Sequence, residues 1–284
     1  MSMRTKHEVV ATVPSWRLGY TGRERLRQGV VVTRLEGKTV IVTGAGRGIG
    51  REYALRIAGD GGNVVIGEVH ADNGDAVAKE IVAAGGQAIA VATDVSHRDQ
   101  CEALAAAAVR EFGRIDVLVN NAAIFYGAMM TPMDAITEEV WDRMMAVNIK
   151  GVWFATLAVL PQMRSQQGGR IINIASSVAM IGPPMLLHYT ASKGAVQAMT
   201  RSMAAELGGE NIKVTAVAPG MCDTEALASI LPDPALAEVF LAQQKLQRKM
   251  VPADVAPLVS FLCSDAADFV IGQNWVIDGG LLFN

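Results

Sequence analysis

In the stretch LHYTASKGAV, residues 187–196, Tyr189 and Lys193 stand four residues apart with only Thr190, Ala191 and Ser192 between them. On a helix that spacing sets both side chains on one face, a single turn apart. A phenol titrates near pH 10, and a neighbouring ammonium favours its ionised form. The spacing therefore suits a phenol whose proton is made mobile by a nearby charge. A solvated helix face carrying an incidental phenol is the plainer alternative, and the stretch alone does not separate the two.

A second stretch with chemistry in it is VIVTGAGRGIG, residues 40–50. Gly44, Gly48 and Gly50 lack β-carbons, so the backbone can turn sharply and approach a pyrophosphate. A helix opening there offers unpaired N–H donors and a favourable dipole to that anion. Arg47 and Ile49 belong to the same candidate cofactor loop. About twenty residues on, Glu68 closes the run VVIGE, where a carboxylate can accept bonds from ribose hydroxyls and repel a 2′-phosphate. Arg47 pulls the other way, since a guanidinium beside the loop can hold that phosphate. The position of Glu68 at a strand end aims it at the ribose, so NAD is expected over NADP. Asp94 and Val95 follow a third apolar run. There the carboxylate can pair with an adenine amino group while the valine packs on the ring, or Asp94 can cap the next helix. Asn120–Asn121–Ala122–Ala123 follows a fourth run, with small residues that admit a cofactor and amides that can tie loops together.

These candidates need a frame. From Lys38 onward, β-branched apolar runs near 39–43, 63–68, 87–92, 115–120, 170–175, 212–217 and 274–277 read as strands. Helical patterns fill the gaps near 48–60, 72–84, 97–112, 137–165, 188–208 and 252–264. Strands alternating with helices imply βαβ units and a mainly parallel seven-stranded sheet covered on both faces, a single doubly wound α/β domain over 35–284. Residues 221–249 break the alternation and read as a mobile helical lid with a turn at Pro232 and Pro234. Residues 1–34 fit no element. They read as an ordered arm, a disordered basic tail, a targeting segment or a misplaced start, because Val30, Val31 or Val32 can each be encoded by GTG. Residues 1–32 are expected to be dispensable for catalysis.

Composition narrows the function classes. The chain has 284 residues, 51% hydrophobic and 19% charged, with a net charge of −3. That suits a well-buried core and gives no global attraction to nucleic acid or to an anionic membrane. The basic excess is local: residues 1–38 hold eight basic and three acidic side chains, leaving 17 basic and 25 acidic in the remainder. Cys101, Cys222 and Cys263 lie far apart, in neither a disulfide framework nor a zinc spacing. The histidines at 7, 70, 97 and 188 do not cluster, so no catalytic metal is expected. With no apolar run of a secretory signal near the start, a cytoplasmic location is the default expectation.

Taken in order, TGAGRGIG at 43–50, NNAA at 120–123, Asn148 in VNIKG, Ser176 in INIASS, YTASK at 189–193 and PGMCDT at 219–224 resemble short-chain dehydrogenase/reductases. The resemblance runs from about Leu35 to Asn284, and the family usually has glycine where Ala123 stands. It implies a Rossmann fold and hydride transfer between a nicotinamide cofactor and an alcohol or ketone. By motif, it implies Tyr189 as general acid/base, with Lys193 lowering the phenol's pKa and bonding the nicotinamide ribose. Ser176, thirteen residues before Tyr189, would orient the substrate oxygen, with Ser177 as an adjacent rival. Asn148 would hold a water that links the lysine to solvent. Pro219, Gly220 and Thr224 join the cofactor contacts, and a homo-dimer or homo-tetramer through the helices carrying Asn148 and Tyr189 is implied.

The candidate substrate wall is apolar. Val178, Met180, Ile181, Pro183, Pro184, Met185, Leu186 and Leu187 separate Ser176 from Tyr189, Ile124, Phe125 and Tyr126 follow NNAA, and the lid adds Met221 and Leu227. Such a lining favours a hydrophobic secondary alcohol or ketone over a sugar, although the same run can serve as ordinary core or subunit interface. Two other readings stand beside this one. One is an NADP-dependent reductase of 3-ketoacyl thioesters, which Arg47 suits and Glu68 does not. The other is a non-catalytic dinucleotide-binding scaffold, which has no need of Asn148, Ser176, Tyr189 and Lys193 at this spacing.

Overall fold

The computed structural model describes residues 35–125, 130–230 and 241–283, apart from the side chains of 228–230. The β-branched runs form strands β1 (Thr39–Thr43), β2 (Asn63–Glu68), β3 (Gln87–Ala92), β4 (Val117–Asn120), β5 (Gly169–Ile174), β6 (Ile212–Pro219) and β7 (Asn274–Ile277). They make one sheet in the order β3-β2-β1-β4-β5-β6-β7, with every pair parallel. Because side chains alternate across a strand, successive residues serve opposite faces. Val40 and Val42 join Tyr53, Ile57, Val255 and Val259 on one side, while Ile41 joins Leu104, Val159 and Leu207 on the other. Burial on both faces explains why these strands read as continuous apolar runs rather than as alternating ones.

Helices α1 (Gly48–Gly59), α2 (Ala71–Ala83), α3 (Arg98–Phe112), α4 (Glu138–Met145), α5 (Gly151–Ser165), α6 (Val178–Ile181), α7 (Leu187–Leu207), α8 (Glu225–Ile230) and α9 (Pro252–Cys263) connect them. The segment expected as one helix over 137–165 is continuous but carries a π-turn, Ala146–Lys150, between α4 and α5. By length and composition this run could cross a bilayer, yet Ala155, Val159, Leu160 and Met163 are buried in the core between α3 and the sheet. The fourth strand starts two residues later than expected. Just before it, the Asp116 carboxylate accepts from the Thr39 N–H at 2.8 Å and holds two bonds from Arg114.

Of the expected lid, 221–249, the described helical residues are those of α8 and 241–243, and Pro232 and Pro234 lie outside the described residues. Its base is fastened, since Cys222 pairs with Met250 as an isolated bridge and the Asp223 N–H donates to the Met250 carbonyl at 2.7 Å. The N-terminal extension and Tyr126 also lie outside the described residues.

Strand order reverses direction between β1 and β4, where the chain has crossed from β3 to the other side of β1. At such a switch point the loops leaving adjacent strands diverge and open a crevice at the carboxyl ends. The loops after Thr43 and Asn120 are those two.

Candidate functional site

A cleft of about 1020 Å³ opens at that edge of the sheet. Its floor is the loop between β1 and α1. Gly44 and Gly48 have φ of +65° and +57°, the left-handed region that favours glycine. A β-carbon on Gly44 would lie 2.7 Å from the Ala122 Cα, whereas one on Gly48 would meet nothing within 4 Å. The loop is thus packed against the β4 side and open toward the cleft. No side chain caps the first turn of α1, so its leading N–H groups face the space a diphosphate would fill.

The β4 loop is bolted to this one. Asn121 Nδ2 donates to the carbonyls of Thr43 and Gly44, each at 2.9 Å, and the N–H groups of Asn121 and Ala122 donate to Thr43 Oγ1 at 3.1 Å. Asn121→Ala should lower the unfolding free energy by about 1–3 kcal/mol, the range for stranding buried polar partners. It should also weaken NADH and NADPH binding alike. Urea unfolding and fluorescence titration check this, and an unchanged midpoint would show that the tie is dispensable.

Glu68 ends β2 with only 6% of its surface exposed. Its Oε2 accepts from the Gly46 N–H at 2.9 Å and its Oε1 from the His70 N–H at 3.2 Å. Asp94 follows the neighbouring strand β3, next to Thr93, whose N–H donates to the Glu68 carbonyl at 2.9 Å. It is not the cap of α3, because His97 occupies that position. Asp94 Oδ1 instead accepts from the N–H and hydroxyl of Ser96. Burial pushes its carboxyl up, but the Ser96 bonds and the charges of His97 and Arg143 more than offset that, leaving it below the ordinary range.

Tyr189, Ser176 and Lys193 share the opposite wall. Tyr189 lies in the first turn of α7, its ring centroid 4.8 Å from that of Phe125. Burial drives its phenol well above the ordinary value, and a hydrogen bond with Ser176 works against that rise. The helical spacing does bring Lys193 alongside, with Nζ 5.8 Å from the Tyr189 ring centroid. However, Nζ donates to the Ile174 carbonyl at 2.7 Å, and burial pulls the ammonium down to about 8. The expected lowering of the phenol by the ammonium is therefore outweighed here: desolvation dominates both groups and pushes each toward its neutral form.

Asn148 occupies the π-turn and does not line the cleft. Its Oδ1 accepts from the Ile124 N–H at 2.7 Å, and its Nδ2 donates to the Ser192 hydroxyl at 3.0 Å. These bonds join it to the β4 loop and to α7. All the other expected site residues line the one cleft: Gly44, Arg47, Gly48, Ile49, Gly50, Glu68, Asp94, Val95, Asn121, Ala122, Ser176, Tyr189, Lys193, Pro219, Gly220 and Thr224. Thr224 also accepts from the Leu227 N–H at the start of α8.

The structure brings part of the expected apolar wall to the cleft. Ile124, Phe125, Val178, Ile181, Pro183, Pro184, Leu186, Met221 and Leu227 line the cleft, whereas Met180, Met185 and Leu187 do not and are 36–47% exposed. Met185 has a φ of +65° in the connection between α6 and α7. Sequence reading missed Val140, Arg143, Met144 and Val147, which also line the cleft. Their i, i+3, i+4, i+7 spacing was the available signal. Among the described residues no group of three or more His, Cys, Asp or Glu could hold a metal, and all three cysteines are free and buried.

A family model described as enoyl-(acyl carrier protein) reductase matches residues 44–282. A 3-oxoacyl-[acyl-carrier-protein] reductase FabG of Thermotoga maritima is 41% identical over 249 residues, covering 88% of this chain and 99% of its own. Dehydrogenase/reductase SDR family member 4 of Bos taurus is 36% identical over 251 residues, covering 87% and 88%. Among solved structures, a 7α-hydroxysteroid dehydrogenase complexed with NADH and 7-oxo glycochenodeoxycholic acid superposes with a TM-score of 0.83 at 36% identity, covering 87% of this chain and 95% of that one. A 3-ketoacyl-(acyl-carrier-protein) reductase from Brucella melitensis complexed with NADH gives 0.80 at 34%, covering 87% and 98%.

Proposed function

The chain belongs to the short-chain dehydrogenase/reductase family of NAD(P)-dependent oxidoreductases, and from that premise we propose that it is an NAD-dependent dehydrogenase of hydrophobic secondary alcohols and their ketones. One observation carries the reading: a single cleft holds the glycine loop, Glu68, and the Ser176–Tyr189–Lys193 group at its other end. When bound, the nicotinamide supplies or accepts the hydride and, when oxidised, brings a positive charge beside the phenol. The remaining work falls to the chain's own side chains. The glycine loop and the α1 N-terminus hold the diphosphate, and Glu68 accepts bonds from the adenosine ribose. Lys193 reaches the other ribose, Ser176 orients the substrate oxygen, and Tyr189 moves the proton at that oxygen. The apolar side chains of Phe125, Val178, Ile181 and Leu186 exclude water and accept the substrate's body.

The preference for NAD rests on Glu68, whose carboxylate would repel a 2′-phosphate. A second reading, an NADPH-dependent reductase of 3-oxoacyl thioesters, is favoured by Arg47 on the same wall and by the relatives named above that act on acyl carriers. Fluorescence titration with NADH and NADPH, followed by turnover on apolar secondary alcohols and on 3-oxoacyl thioesters, separates the two. Glu68→Ala should shrink the preference for NADH over NADPH by about tenfold, equivalent to about 1.4 kcal/mol. An unchanged ratio would mean that Glu68 does not read the ribose.

A further inference from the structure

Gly46 is a glycine for a different reason than its neighbours. Gly44 and Gly48 have positive φ, but Gly46 is absent from the positive-φ residues, so its φ does not call for glycine. Space is what forbids one. A β-carbon on Gly46 would lie 2.8 Å from Cγ and 2.9 Å from Cδ of Glu68, and 2.7 Å from Cβ of Asn73. The Glu68 side chain fits a socket with Gly46 on one side and Gly74 on another, where an added β-carbon would stand 3.2 Å from the Glu68 Cβ. Two backbone N–H groups, of Gly46 and His70, fix the carboxylate there.

We infer that position 46 determines cofactor specificity through Glu68: glycine at 46 keeps the carboxylate at the ribose, and any side chain there expels it and admits a 2′-phosphate. This rests on Glu68 reading the ribose, as proposed above. Residue 46 is a positioning residue, since it acts on the cofactor by fixing where the carboxylate stands. The clash with Asn73 is common to any protein carrying a side chain at 46, with or without the carboxylate, so comparing two backgrounds removes it.

The test uses full-length wild type, Gly46→Ser, Glu68→Ala and the double variant. Dissociation constants for NADH and NADPH are measured by fluorescence titration, with urea unfolding on the same samples. Gly46→Ser is expected to lower the NADH preference about tenfold in the wild-type background and less than about twofold once Glu68→Ala is present. Its loss of urea midpoint should likewise be smaller in that background. An equal shift of the ratio in both backgrounds, or none in either, overturns the inference. If Glu68→Ala alone leaves the ratio unchanged, the NAD reading fails instead. The midpoints then decide whether side chain 46 and the carboxylate exclude each other. Should Gly46→Ser fail to fold, a folded double variant supports the exclusion; if the double variant also fails, both are remade with Asn73→Gly, which removes the other clash, and equal behaviour of the two then refutes it.

Discussion

Tyr189→Phe should lower turnover by two orders of magnitude or more while leaving NADH and NADPH binding within about twofold of wild type, the scale expected when an acid/base group is lost. The ring stays, so its packing on Phe125 at 4.8 Å between centroids is kept; only the hydroxyl that bonds Ser176 goes. The pH dependence sharpens the test. Burial holds the phenol above its ordinary value, with Ser176 opposing, so at neutral pH Tyr189 is protonated and poised to give a proton to a ketone. Alcohol oxidation needs the phenolate, so wild-type oxidation should climb as pH rises, while reduction should hold level until the pH nears the raised phenol value. In the variant the climb of oxidation and the late fall of reduction should both disappear. Near-normal turnover, or slopes that survive the substitution, would remove Tyr189 from the proton-transfer step.

The contrast between what was and was not readable in the chain follows from the range of the interactions. The central strands were legible because runs such as Thr39–Thr43 are buried along their whole length; the edge strands Gln87–Ala92 and Asn274–Ile277 are only partly buried and were legible from their apolar residues alone. The cleft residues were found because phosphate binding and proton transfer need particular residue types at fixed local spacings. What escaped depends on partners far away in sequence. Nothing around Lys193 announces that its Nζ will bond the Ile174 carbonyl, nor does anything near Asn148 point to the Ile124 backbone. The π-turn adds a residue to a helical turn without disturbing the apolar pattern that marks the helix. Met180, Met185 and Leu187 were counted in the substrate wall for their hydrophobicity, but they are exposed while their neighbours Ile181, Pro184 and Leu186 line the cleft. Glu68 is the intermediate case. Its position at a strand end was legible, whereas the socket that immobilises it needs Gly46 and Gly74 from two other elements.

The site also concentrates groups that a stable core would not choose. Asn148, Ser176, Tyr189 and Lys193 are all at most 8% exposed, and burying polar groups costs free energy unless their partners are good. Asn148 is well partnered, through Ile124 and Ser192. Lys193 is the exception, with the Ile174 carbonyl as partner and an ammonium lowered by desolvation. Stability and chemistry therefore pull in opposite directions at this residue.

Lys193→Met puts that conflict to the test. Methionine keeps the length and apolar stem of lysine and removes the charge. Turnover should fall by two orders of magnitude or more, because the proposed ribose contact and the charge beside Tyr189 are both lost. Stability should move the other way at neutral pH. The lysine pKa is about 8 in the folded chain and about 10.4 in the unfolded one. Below about pH 8 both states hold the proton, and the native state carries the full cost of the buried ammonium, on the order of 3 kcal/mol. Between about 8 and 10.4 the unfolded state binds more protons, so wild-type stability from this group rises with pH. The Met variant has no such group, but it strands one bond of the Ile174 carbonyl at about 1–3 kcal/mol. At pH 7 it should accordingly be at least as stable as wild type in urea, and that advantage should shrink or reverse by pH 10. A variant that is less stable by several kcal/mol at pH 7, with a gap independent of pH, would mean that the ammonium stabilises the fold. Lys193 would then be a structural anchor first.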